Sequence, residues 1–390
     1  MRVEELTDYI VRHYFSEARK FRRYGLLFLG APGIGKSESV ERAGRVIASK
    51  LEREFIKVVV RWSPKHREFI INTTGEHRID DVLSDPDRFF VFTDFRLSTT
   101  EPTDITGIPS RRRGITFFDP LLWSTLHSAS PGILFLDELT WVQREDVWAI
   151  VPQLILDKIA GFVTFHPDTL VVAAGNDPES CSIVREIHNP LLNRLKVIKI
   201  KPPSVDGWRN YMVRKFGNEW AKETYAFLKR FEKEGYLLRL PKEPAGFDNF
   251  PSPRTWTWVA LDLYHGFRSL DDIVGLLGEE VGLKFLGFLE TNVDIDELIR
   301  NPAGWFKLDL DAKYMACLLL GNAISKARGR FNKFFNLIDA MASESREYVV
   351  VTCISVSGRK VLINFLRELL KARPKYRDML MEIVTLAKQL

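Results

Sequence analysis

Up to about Ile200 the chain alternates short apolar runs with stretches whose apolar positions recur at helical spacing. The runs are Tyr24 to Leu29, Phe55 to Val60 or Phe89 to Leu97, Ile133 to Leu136, Leu170 to Ala174 and Lys196 to Ile200. They are rich in β-branched or aromatic residues and separated by helix-patterned segments, which predicts a parallel sheet covered on both faces. Ser37 to Lys50 reads as a helix. After "KIKPPSVDG", Lys199 to Gly207, the strand pattern stops and helical stretches such as Trp208 to Phe216 and Glu219 to Glu234 take over, the paired prolines marking a boundary. The loop "LPKEPAGFDNFPSPR" precedes a helix from about Thr255, "LIRNPAGWF" breaks the chain near Pro302, and a further helical region starts at about Leu308. "EYVVVTCISV", Glu347 to Val356, stays open between strand and helix: its β-branched residues favour one and its surroundings the other. The pattern predicts an α/β domain over residues 1–203, a helical domain over 204–290 and a helical C-terminal region over 291–390.

Composition narrows the class without choosing a function. A length of 390 residues with 45% hydrophobic and 27% charged positions suits a globular protein of two or three domains. No apolar stretch reaches the ~18 residues that span a bilayer. The charged start "MRVEELTDYIVRHYF" carries no secretory pattern, so a cytoplasmic location is expected. A net charge of +5 is too small over this length to argue for nucleic acid by itself. Cys181, Cys317 and Cys353 are odd in number and lack C-x-x-C spacing, and no H-x-x-x-H pair occurs, so neither disulfides nor a zinc site are expected. Glutamine occurs only three times, a trait of proteins from hot environments that asparagine does not share here.

Three motifs carry chemistry. In "LLFLGAPGIGKSES" the residues Gly30, Gly35, Lys36 and Ser37 satisfy G-x-x-x-x-G-K-[ST] between an apolar run and a helix. That spacing lets the backbone N–H groups of Gly30, Ala31, Pro32, Gly33, Ile34, Gly35, Lys36, Ser37 and Glu38, proline excepted, close around phosphates; Lys36 adds charge and Ser37 offers Mg2+ a hydroxyl. "GILFLDEL" puts Asp137 and Glu138 at a buried strand end, Asp137 suited to Mg2+ and Glu138 to polarising a water. "LVVAAGND" ends another buried strand on Asn176, whose amide is placed to orient a water against the γ-phosphate.

With "GAPGIGKS", "LFLDEL", "VVAAGN", "NPLLNRL" and "SPRTW" together, the chain resembles the AAA+ ATPases, and within them the MoxR-like group, over roughly Tyr24 to Val259. The resemblance implies a P-loop NTPase sheet flanked by helices, a helical lid at residues 204–290, and ATP with Mg2+ as cofactors. It implies that Gly30 to Ser37 is Walker A, Asp137 and Glu138 Walker B, and Asn176 sensor 1. It further implies that Arg194 is an arginine finger reaching a neighbouring subunit's nucleotide and that Arg254 is sensor 2, contacting nucleotide in its own subunit. Both would offset transition-state charge. The expected assembly is a homo-oligomeric ring, usually a hexamer.

Two segments read as insertions. "DFRLSTTEPTDITGIPSRRRGITFFDP", Asp94 to Pro120, brackets Arg111 to Arg113 with glycines and is followed by Phe117 and Phe118. It reads equally as a solvated loop or as a grip on an acidic polypeptide or nucleic-acid backbone. "KIAGFVTFHPD", Lys158 to Asp168, reads as a hairpin around Gly161. Residues 61–88 carry no motif, and Trp141 and Trp148 read as packing residues. The function expected is Mg2+-dependent ATP hydrolysis by a ring that remodels or assembles a separate protein client, with a von Willebrand A domain protein as one partner class. The alternative is a nucleic-acid-directed motor or loader. A non-hydrolysing scaffold fits poorly with Glu138, Asn176 and Arg194 together.

Overall fold

The computed structural model describes residues 1–17, 24–72, 76–177, 187, 189–241, 248–327 and 329–387. Cys181 lies outside them. The chain divides into two compact units, Met1–Pro202 and Pro203–Leu390.

The first unit has thirteen strands among the described residues: β1 (Gly25–Leu29), β2 (Glu54–Lys57), β3 (Val60–Ser63), β4 (Glu68–Asn72), β5 (Glu76–Arg78), β6 (Phe89–Arg96), β7 (Ile108–Arg112), β8 (Ile115–Asp119), β9 (Gly132–Asp137), β10 (Ile159–Ala160), β11 (Val163–Thr164), β12 (Leu170–Gly175) and β13 (Leu195–Lys199). Its helices are α1 (Leu6–Tyr14), α2 (Lys36–Lys50), α3 (Ile79–Ser84), α4 (Pro102–Thr106), α5 (Leu122–Ala129), α6 (Glu145–Pro152) and α7 (Asn189–Leu192). Six strands form one parallel sheet in the order β13-β1-β12-β9-β6-β2. The protein is thus an α/β P-loop fold, its sheet covered by helices and followed by an all-helical region.

Of the two stretches read as alternatives, both are strands: β2 takes the edge, and β6 lies between β2 and β9. Each supplies phenylalanines to the core, Phe55 tilted against Phe92 at 5.8 Å and Phe92 stacked on Phe135 at 6.4 Å. Burial of such rings between the sheet and α2 contributes roughly 1.5–3 kcal/mol per side chain.

The motif-free stretch forms the antiparallel sheet β3-β4-β5 and α3. The arginine-rich stretch is a hairpin rather than a loop: Arg111 and Arg112 lie on β7 and pair with β8. Arg113 and Gly114 turn it with φ of 53° and 81°, the left-handed pair that matches strand twist in two-residue hairpins. β10 and β11 form a second hairpin, and its Phe162 packs against Phe118 of the first, ring centroids 5.7 Å apart. Trp148 is buried and donates to the Val142 carbonyl at 3.0 Å, whereas Trp141 is 44% exposed and does not serve as core.

Under the sheet, α5 carries His127, fully buried, with Nε2 3.0 Å from Thr93 Oγ1. Burial pushes its pKa down to about 3, so the folded state holds the imidazole neutral. The unfolded chain takes up this proton near pH 6.5, so between about 6.5 and 3 it binds more protons than the folded one. Stability is therefore complete above pH 6.5 and is lost as pH falls towards 3. Two pH units below 6.5 correspond to about 2.7 kcal/mol, or roughly 5–10 °C in Tm for a unit of this size. The fall in Tm from pH 7 to 4.5 is expected to be clearly smaller in His127→Gln, as measured by circular dichroism.

The second unit is helical and starts with α8 (Val205–Phe216), α9 (Lys222–Arg230) and α10 (Pro253–Tyr264). One apolar core runs from Val205 to Ile383, so the stretches 204–290 and 291–390 share a single interior. The ambiguous "EYVVVTCISV" is helical over Arg346–Ser355, with Ser345 accepting a cap bond from the Glu347 N–H. Buried residues lie all round it, and such burial overrides β-branched propensity. Among the described residues no helix is long and apolar enough to cross a membrane.

Candidate functional site

The phosphate-loop sequence leaves β1 and enters α2 through a tight glycine path. Gly33 and Gly35 have φ of 73° and 98°, which side chains rarely adopt. Gly30 is required for space: a Cβ there would lie 2.5 Å from the Ile200 carbonyl oxygen. Lys36 is buried at the first position of α2, and its Nζ donates to the carbonyls of Gly30 at 2.8 Å and Ala31 at 2.9 Å, with Asn176 Oδ1 at 3.4 Å. The ammonium is thereby fixed inside the curl of Gly30, Ala31, Pro32, Gly33, Ile34 and Gly35. Glu38 is exposed in the first turn of α2.

The sheet order brings the other motifs to the same end. β12 lies between β1 and β9, so Asn176 stands between the loop and Asp137–Glu138. Ser37 Oγ donates to Asp137 Oδ2 at 2.6 Å across 100 residues of sequence. Asp137 Oδ1 accepts from the Glu138 N–H at 2.8 Å. Glu138 itself is left-handed, with φ 59° and ψ 31°, and its Oε2 accepts a hydrogen bond from Ser98 Oγ. A non-glycine residue in that region costs about 1–3 kcal/mol and points to a function. Thr140 Oγ1 accepts from the Asn176 N–H at 2.8 Å. A Cβ on Gly175 would meet that same Thr140 at 2.7 Å, so the β9 and β12 ends are locked together.

Four contributors were not legible as site residues in the sequence: Ser98, Thr140, Asp94 and Lys57. Asp94 lies on β6 opposite Phe135, and Arg96 opposite Asp137, so strand alternation puts Asp94 and Asp137 on the same face, the one covered by α2. Burial, and then the charge of Asp137, push the Asp94 carboxyl above its ordinary range. The signal available was an acid inside the apolar run "FFVFTDF".

Arg194 stands apart from this cluster, and Arg254 belongs to the second unit. β13 starts beside Gly25, and the Arg194 carbonyl accepts the Gly25 N–H at 3.2 Å. Arg194 is therefore at the opposite end of the strands from Gly30, about 17 Å away by strand rise, and its side chain is exposed. Arg254 is exposed in the first turn of α10 in the second unit, where Ser252 caps the helix.

The donors at Ser37 and Asp137 are hard oxygens, which suit Mg2+. Among the described residues no three His, Cys, Asp or Glu side chains form a metal cage.

No family model matches the chain, and no curated protein matches it either. Among solved structures it is similar to the FIGL-1 AAA domain in complex with ADP, at 15% identity and a TM-score of 0.34, over 77% of this chain and 86% of that one. It is also similar to PCH-2 of C. elegans, at 11% identity and a TM-score of 0.27, over 75% of this chain and 61% of that one.

Proposed function

We propose that the chain is a Mg2+-dependent ATPase of the AAA+ kind, MoxR-like in its motifs, which works as a homo-oligomeric ring, usually a hexamer, and remodels or assembles a separate protein client. The observation that carries this is the 2.6 Å bond from Ser37 to Asp137, with Lys36 and Asn176 in contact beside it. A loop, an acid pair and an amide, dispersed over 140 positions, meet at one end of the sheet, which supports reading them as a phosphate site.

In this reading the loop N–H groups and Lys36 hold the triphosphate, and Ser37 and Asp137 hold the cation. The cation would neutralise charge on the phosphates. Glu138 takes the proton of an attacking water, and Asn176 orients that water. Arg194 acts on a neighbouring subunit's nucleotide and Arg254 on its own. The purified chain is expected to hydrolyse ATP only with a divalent cation. Lys36→Ala is expected to weaken binding of a fluorescent ATP analogue at least 10-fold, read by anisotropy; parental affinity would remove the loop from the site.

A second reading, a nucleic-acid-directed motor, has one observation in its favour: Arg111 and Arg113 are exposed beside the half-exposed Phe117 and Phe118. Stimulation of turnover by single-stranded DNA, falling steeply with salt, would select it. The same hairpin also suits an acidic polypeptide, which we retain as the client chemistry together with a von Willebrand A domain protein as the partner class.

A further inference from the structure

Between α2 and the sheet runs a row of charged and polar groups, of which only Ser37 and Asp137 belong to the nucleotide motifs. Glu41 of α2 bonds Lys57 of β2 at 2.7 Å, and Lys57 lies 4.0 Å from Asp94 Oδ2 on β6. Asp137 of β9 follows on the same face, and Ser37 of α2 closes the row at 2.6 Å. Lys57 is committed to Glu41, so its hold on Asp94 is at the limit of an ion pair. The other oxygen, Asp94 Oδ1, is buried and has no hydrogen-bond partner among the described residues. A carboxylate so placed lacks a donor and faces a like charge, both of which cost stability.

A hydrated cation at Ser37 and Asp137 would remedy both deficits. Mg2+ retains several waters when bound through few protein oxygens, and each such water is a strong donor. We propose that Asp94 is a positioning residue of this cation site, its Oδ1 accepting a hydrogen bond from the ion's water shell while Lys57 restrains the carboxylate from the other side. This rests on the nucleotide-site reading given above. Asp94 comes from β6, the strand next to the Asp137 strand, so the cation's surroundings extend beyond the loop and the acid pair.

The test compares the parent with Asp94→Asn and Asp94→Ser in the presence of ADP, titrating Mn2+ and reading the free ion by electron paramagnetic resonance. Half-saturation is expected to move up roughly 10-fold in both variants, the scale for losing an outer partner of a metal site. Fluorescent-ADP affinity in EDTA is expected to stay within about 2-fold, and the thermal midpoint in EDTA to equal or exceed the parent's, because the repulsion from Asp137 is gone. An unchanged Mn2+ midpoint overturns the assignment. So does a parallel loss of ADP affinity in EDTA, or failure of both variants to fold, since either would make Asp94 a structural group. If the parent binds no Mn2+ with ADP at all, the nucleotide-site reading falls first, and the assignment with it.

Discussion

Glu138→Gln is expected to lower ATP turnover at least 100-fold while leaving nucleotide affinity within about 2-fold. The amide fills the same space and can still contact Ser98, but it takes up no proton, and a positioned general base is worth about 10²–10⁴ in rate. The held geometry supports this choice of residue: Glu138 is pinned in a left-handed conformation, with Ser98 at its carboxylate. Single-turnover hydrolysis alongside equilibrium binding separates the two effects. The variant should also trap an assembled ring that retains its client. Parental turnover would remove Glu138 from the role of base, and an empty trap would count against remodelling.

Arg194→Ala should be nearly as damaging, on the order of 10³-fold in turnover, the lower range for an arginine finger. Here the fold sets a condition on the mechanism. Arg194 stands beside Gly25 at the start of β1, and the phosphate loop begins at that strand's other end, so this arginine cannot serve the loop of its own chain. It follows that two defective chains should rescue each other. Lys36→Ala lacks a competent loop but keeps Arg194, and Arg194→Ala the reverse. Mixed, they should recover a measurable fraction of parental activity. A strictly monomeric protein with full activity, or a mixture as inactive as its parts, would remove Arg194 from catalysis.

The elements legible in the sequence were those whose signal is local. The glycine spacing of Gly30 to Ser37, the four apolar residues before Asp137 and the run ending in Asn176 each announce a strand end with chemistry on it. What could not be read is what depends on pairing across the sheet. Phe55–Val60 and Phe89–Leu97 looked like competitors because both are short and apolar; only the sheet shows β6 beside β9 with β2 outside it. Asp94, Ser98 and Lys57 become site neighbours through that order alone. Thr140 matters because Gly175 leaves room for it, a contact between the turn after β9 and the end of β12, 35 positions apart, with no period or spacing to betray it. The hairpin at Arg113–Gly114 was hidden because an arginine in a left-handed turn breaks the usual Asn-Gly or Asp-Gly signature.

One edge of the parallel sheet bears on how copies of this chain could associate. β13 is an outer strand, and an outer strand offers unpaired backbone groups to any other chain. Lys196 and Lys199 are exposed along it, and at its far end Arg2 bridges Lys201 while the Met1 carbonyl accepts the Lys201 N–H at 2.8 Å. Charge along the strand and an N-terminal cap at its end disfavour strand-to-strand addition, the route by which sheets grow into fibrils without limit. In the proposed ring, copies of this chain would therefore meet through side chains rather than along β13.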